Sequence, residues 1–191
     1  MAPPKRKAEQ EADNRIFVPS TRSWIYLATF ILIFCLTCAE LGLVSQQIHK
    51  YGRWTFNYAT LQYKNAIGLL LCACLISLLL CLGHYWIAVG GTAFTSLILS
   101  VFFGTVAGIF RVTTPFRGHD CGRPQDSYPV IWRPWFQECS RVVAMEGIAW
   151  SLWALYLCMM IGTLLYMFQI TPRPTPGGYY GSPTRVVPSY V

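Results

Sequence analysis

Residues 142–168 read VVAMEGIAWSLWALYLCMMIGTLLYMF, an apolar run in which Glu146 is the only charged residue. A helix rises about 1.5 Å per residue, so roughly 20 apolar residues cross the hydrocarbon core of a bilayer. Lipid offers no water to the backbone, and a crossing segment must therefore satisfy its own hydrogen bonds as a helix. The run predicts a membrane-spanning helix from Val142 to Phe168.

Three more runs of the same kind precede it. They cover Trp24–Val44, Asn65–Gly83 and Ile87–Phe110, each with at most one charged residue. Over the whole chain 54% of the residues are hydrophobic and 12% are charged, whereas soluble domains carry about twice that share of charge. The sequence therefore predicts an all-α, membrane-embedded four-transmembrane-helix bundle over residues 24–168. A flexible cytosolic tail is expected over residues 1–23, and a disordered tail rich in Pro, Gly and Tyr over residues 169–191.

Four crossings place both termini and the short connection near Gly83 on one side of the membrane. The loops of residues 45–64 and 111–141 then lie on the other side. Lys and Arg number seven on the terminal side and eight on the loop side. The positive-inside rule therefore does not decide the orientation.

The cysteines favour one orientation. Cys121 and Cys139 are the two of the eight cysteines that lie outside the apolar runs. A pair that brackets a polar, Pro-bearing loop is typical of a disulfide in an oxidising compartment, and two free interfacial thiols are the alternative. A disulfide implies a luminal or extracellular loop, cytosolic termini, and location in the plasma membrane or a secretory-pathway membrane.

One charged residue marks the loop side of each predicted helix, and together they form an interfacial charge cluster of Glu40, Lys64, Arg111 and Glu146. Both acids are expected about 6 Å inside the boundary. An unpaired carboxylate at the bilayer centre costs about 3 kcal/mol or more, so each acid should face inward and pair with Lys64, Arg111 or Arg141. The pattern indicates a polar clamp that fixes helix register, and an ion or proton site is the alternative. The other half of the bundle is expected to be nearly all apolar, without a transport route.

The third run carries a small residue at every fourth position, a helix-packing stripe of Thr92, Ser96, Ser100, Gly104 and Gly108. Residues four apart share a helix face, and small residues let helix backbones approach closely in lipid. The stripe predicts a packing face, either within the bundle or between two molecules.

Sequence motifs for chemistry are weak. Cys35 and Cys38 form a C-x-x-C, but they lie inside an apolar helix without a nearby cation to stabilise a thiolate, and buried cysteine commonly behaves as a small hydrophobe. The three histidines fall in three different connections. We therefore expect no catalytic residues, no cofactor and no metal.

The net charge of +7 comes from basic residues at helix ends, which favours a lipid bilayer over nucleic acid as partner. The end Ser189-Tyr190-Val191 has the form of a PDZ ligand for a cytosolic partner, or is a disordered end that binds nothing.

The arrangement resembles the MARVEL-domain tetraspan proteins, particularly the small fungal ones. The resemblance rests on the four helices with a Cys-bearing second loop, on the entry into the last helix from Cys139 to Trp150, and on Leu41-Gly42-Leu43. It implies a non-enzymatic protein that organises membranes by lateral assembly, membrane apposition or trafficking scaffolding, with homo- or hetero-association with membrane proteins. The alternatives are a membrane thiol oxidoreductase using Cys35 and Cys38, or a small transporter or channel.

Overall fold

A computed structural model describes residues 21–52, 54–87 and 89–167 of the chain. It contains four long helices, α1 (Thr21–Tyr51), α2 (Leu61–Gly83), α3 (Val89–Thr113) and α4 (Cys139–Met167), with short 3₁₀ turns between them. None of the described residues forms a strand. The prediction of an all-α four-helix bundle is confirmed. The expected tails, apart from the first residues of α1, lie outside the described residues.

All four helices are long and apolar enough to cross a membrane, and the chain is a multi-pass membrane protein. The helix-joining residues 54–60 and 114–138 lie at one end of the bundle, here called the loop side. Residues 84–87, which follow α2, lie at the other end, here called the hairpin side. Both assignments follow from consecutive helices running in opposite directions.

The helices extend further into the loop side than the apolar runs predict. α1 continues to Tyr51 and α2 begins at Leu61, so His49, Lys50 and Lys64 lie on helices and not in a loop. Arg111 and Arg141 likewise lie inside α3 and α4. The physical reason is that a helix leaving the hydrocarbon keeps its backbone hydrogen bonds while its side chains become polar. Hydropathy alone therefore predicts helices that are too short at the loop side.

Two local features end α1 and begin α2. Gly52 has a φ of 68°, and its N–H donates to the Ile48 carbonyl at 2.7 Å, which is the left-handed stop that glycine permits at a helix end. The Tyr58 hydroxyl donates to the Gly52 carbonyl at 2.7 Å, and burial raises the pKa of this phenol. Thr60 caps α2 by accepting from the Tyr63 N–H at 3.1 Å.

The core is filled by one face of each helix. Its centre is aromatic, where Phe103 of α3 stacks on Tyr156 of α4 with ring centroids 5.8 Å apart. On the loop side, residues 114–138 fold back over the bundle, and the Trp132 ring lies edge-on to Tyr63 and Phe116. In the structure the sulphur atoms of Cys121 and Cys139 are at bonding distance, with Cα atoms 5.5 Å apart. This link holds the start of α4 against the loop.

Candidate functional site

The loop side carries an ion network that joins α1 to α4. The Glu138 carboxylate is buried and forms ion pairs with Lys50 of α1 and Arg141 of α4. The Tyr51 hydroxyl donates to the same carboxylate at 3.1 Å. A buried carboxylate is stable only when charges and hydrogen bonds offset its desolvation, and here it has both. Glu138 is therefore the central residue of the loop-side clamp.

This clamp continues toward the core through Gln47. Arg141 donates to Gln47 Oε1 at 3.3 Å, and Gln47 Nε2 donates to the Tyr63 hydroxyl at 3.3 Å. Gln47 and Tyr63 are both fully buried. Three helices thus share one polar network at the edge of the hydrocarbon.

The predicted charge cluster is only partly assembled. Arg111 and Glu146 lie within ion-pair distance, with Nη1 and Oε1 3.9 Å apart. Lys64 points elsewhere, and its ammonium donates to the Thr55 hydroxyl at 2.9 Å. Glu40 is also apart from the cluster. The expected pairing of Glu40 with Lys64, Arg111 or Arg141 is therefore wrong for the described contacts.

Glu40 lies in the interior of the bundle. Because α1 continues past the apolar run to Tyr51, the residue is about 16 Å from the loop-side end of its helix. Its side chain is fully buried. Neither carboxyl oxygen is hydrogen-bonded to any described residue. Glu40 thus faces inward, as expected, but without the expected basic partner among the described residues.

A second polar group lies below Glu40, toward the hairpin side. Thr37 and Ser77 share a hydrogen bond of 2.8 Å between α1 and α2, and Ser77 shares one of 2.6 Å with the Tyr156 hydroxyl of α4. All three side chains are buried. The expectation that this half of the bundle is nearly all apolar is wrong. Further buried polar side chains there are Thr92, Ser96, Ser100 and Thr163.

The small residues of α3 do not form one straight face. A step of four residues turns a helix by about 400°, so the stripe rotates by about 160° from Thr92 to Gly108. Thr92, Ser96 and Ser100 are buried in the core. At Gly104 an added Cβ would lie 2.7 Å from Trp153 Cδ1 of α4, whereas Gly108 has no described atom within 4 Å of its ideal Cβ. The stripe packs inside the bundle at one end and faces outward at the other.

The cysteine pair of α1 faces outward. Cys35 and Cys38 are both exposed on the surface of the bundle. The polar interior described above therefore lies on the opposite side of α1 from this C-x-x-C. Within the described part of the chain, no group of three or more His, Cys, Asp and Glu side chains could hold a metal ion.

Several residues of the polar interior were not anticipated from the sequence. Glu138 precedes Cys139, and its i,i+3 spacing to Arg141 is the one local signal for their ion pair. Ser77 and Tyr156 carry no such signal, because their contacts join residues 79 positions apart in the chain. Single hydroxyls inside apolar runs become a network only when the helices are docked.

No family model matches the sequence, and no curated protein or solved structure is significantly similar to it.

Proposed function

We propose that the chain is a non-enzymatic, MARVEL-like tetraspan protein that organises membranes through lateral association with membrane proteins. The proposal is supported by the outer face of the bundle near the loop side, where small and polar side chains lie together on a surface that would otherwise contact lipid. We place the loop side in the lumen or outside the cell, and both termini in the cytosol.

The observation that carries the proposal is an open groove between α2 and α3. It has a volume of about 580 Å³ and is lined by Gln62, Asn65, Thr105, Gly108, Ile109, Val112 and Thr113. Five of these residues belong to α3 and follow one helix face at spacings of three, one, three and one. The groove is therefore a continuous strip along the outside of α3.

Two properties of the groove favour a protein partner over lipid tails. Gly108 leaves open space above the α3 backbone, and small residues at such places let a second helix approach closely. Asn65 and Thr105 are exposed, and polar side chains in lipid gain from hydrogen bonds across a helix interface. A helix of a neighbouring membrane protein or of a second copy meets both requirements.

The test is crosslinking in the native membrane with Gly108→Leu. Leucine fills the groove without changing the core, so the pattern of crosslinked neighbours should be lost or strongly reduced at equal abundance. Ala39→Leu is the matched control, because Ala39 is an exposed small residue on α1. An unchanged crosslinking pattern in the Gly108 variant would refute this surface as the association site.

A further inference from the structure

The strongest unexplained group in the molecule is the carboxyl of Glu40. It has 0% relative exposure, and neither of its oxygens is hydrogen-bonded to a described residue. An isolated carboxylate in a low-dielectric interior is so costly that such a group takes up a proton and becomes neutral.

Among the described residues, the groups around Glu40 offer no positive charge. On α2 the buried thiol of Cys74 is close enough for an electrostatic interaction with Glu40. On α1 itself, Cys38 faces outward. The charged residues of α4 have other partners, since Arg141 pairs with Glu138 and Glu146 pairs with Arg111.

We propose that Glu40 is an occluded proton-binding site, a carboxyl that is protonated in the folded bundle and releases its proton only when α1 loosens. Release leaves RCOO⁻ in the core and delivers H⁺ to water, so no other reactant is needed. The new charge is uncompensated until water enters the interface of α1 with α2 and α4. Ionisation of Glu40 and loosening of α1 are thereby coupled.

The polar groups above and below Glu40 define where the proton leaves. Gln47 lies two turns toward the loop side on the same buried face of α1, about 10 Å along the helix axis. Val44, which is also buried, lies between them on that face. Thr37 lies one turn toward the hairpin side and is already hydrogen-bonded to Ser77. The loop-side network has a member at the surface, the half-exposed side chain of Lys50. We therefore place proton exchange on the loop side, past Val44.

Infrared spectroscopy of the full chain in lipid nanodiscs tests the protonation state directly. At neutral pH we expect the carbonyl band of one protonated carboxyl per chain, with slow exchange in D₂O, and loss of this band in Glu40→Gln. The ion-paired acids serve as controls, so Glu138→Gln and Glu146→Gln should retain the band. If Glu40→Gln does not accumulate, Glu40→Asp should shift the band. Absence of a Glu40-dependent band in the wild type would overturn the proposal.

A melting experiment tests the coupling to stability. Because the folded bundle binds the proton that the unfolded chain has already released near neutral pH, stability must fall as pH rises. From mildly acidic to mildly alkaline pH, the wild type should lose about 3 °C or more in melting temperature relative to Glu40→Gln. If the melting temperatures of the wild type and of Glu40→Gln changed equally with pH, the proposed coupling between ionisation and stability would be overturned. A Na⁺-dependent rise in melting temperature confined to the wild type would show a carboxylate with a bound cation, and would overturn the protonated state.

Discussion

The indole of Trp153 in α4 lies directly over Gly104 in α3, so that a Cβ added to the glycine would be 2.7 Å from Cδ1 and 3.0 Å from Nε1. Real Cβ atoms do not approach other atoms this closely, and the two helices can pack as they do only because residue 104 has no side chain. Four residues further along, Gly108 has open space. The two glycines of this GxxxG step therefore have different roles.

Gly104→Ala should destabilise the bundle, because the added methyl group forces Trp153 or the helix backbone to move. The overpacking cost of about 1–3 kcal/mol is offset by a gain of about 1 kcal/mol that alanine brings to a helix interior, so we expect a net loss of up to about 2 kcal/mol. Gly108→Ala is the matched control and should leave stability unchanged or raised. Melting in detergent measures both, and Trp153→Phe in the Gly104 variant should recover part of the loss. Equal stability of both alanine variants would contradict the close packing at Gly104.

Removing the charge of Glu138 should loosen the loop-side clamp. Glu138→Gln leaves Lys50 and Arg141 without their carboxylate partner and weakens the contact between α1 and α4, so we expect the melting temperature to fall by about 4 °C or more. Asp126→Asn is the control, because Asp126 is an exposed acid in the same loop. A Glu138 variant as stable as the Asp126 variant would show that the clamp contributes nothing measurable.

The Cys121–Cys139 link should be needed for a stable loop side. The two residues are 18 positions apart, and removing a disulfide that closes a loop of this size costs about 3 kcal/mol. Paired Cys121→Ser and Cys139→Ser substitutions should therefore lower the melting temperature under oxidising conditions. Cys158→Ser should have no effect, since Cys158 is a free, exposed cysteine.

The same cysteines report the orientation of the chain. After reduction, a membrane-impermeant maleimide added to intact cells, or to intact vesicles of known orientation, should reach the Cys121 region only from the non-cytosolic side. Without reduction the two thiols should stay unlabelled. Labelling from the cytosolic side would reverse the proposed orientation.

Ser77 should matter more than either of its hydrogen-bond partners. Ser77→Ala removes the bonds to both Thr37 and Tyr156 and leaves two buried hydroxyls unsatisfied, a loss of about 1–3 kcal/mol. Tyr156→Phe removes only one bond and should cost about 1 kcal/mol. Tyr85→Phe is a control at an exposed tyrosine of the hairpin side. Guanidinium or heat denaturation in mild detergent gives the order of stabilities. A Tyr156 variant less stable than the Ser77 variant would contradict the network.

The four crossings and the helical class were predictable from hydropathy, because transfer of a segment into lipid depends on its composition and length. The loop-side ends of the helices were predicted too close to the hydrocarbon, because the composition becomes polar before the helix ends. The sequence predicted one packing face from the small residues of α3, but a period of four is not the period of the helix. Only the rotation of about 40° per step explains why Gly104 meets Trp153 while Gly108 faces outward.

The amino-acid sequence alone was sufficient to predict four helices that can span a membrane, because the free energy of placing each run in a bilayer is a local property of that run. Docking of the helices was needed to show that Glu138, and not Glu40, receives the basic partners. Whether two side chains meet depends on the rotation and axial offset of helices that are far apart in the chain, and these are set by the packing of all four together. That packing leaves Glu40 inside the bundle without a described hydrogen-bond partner.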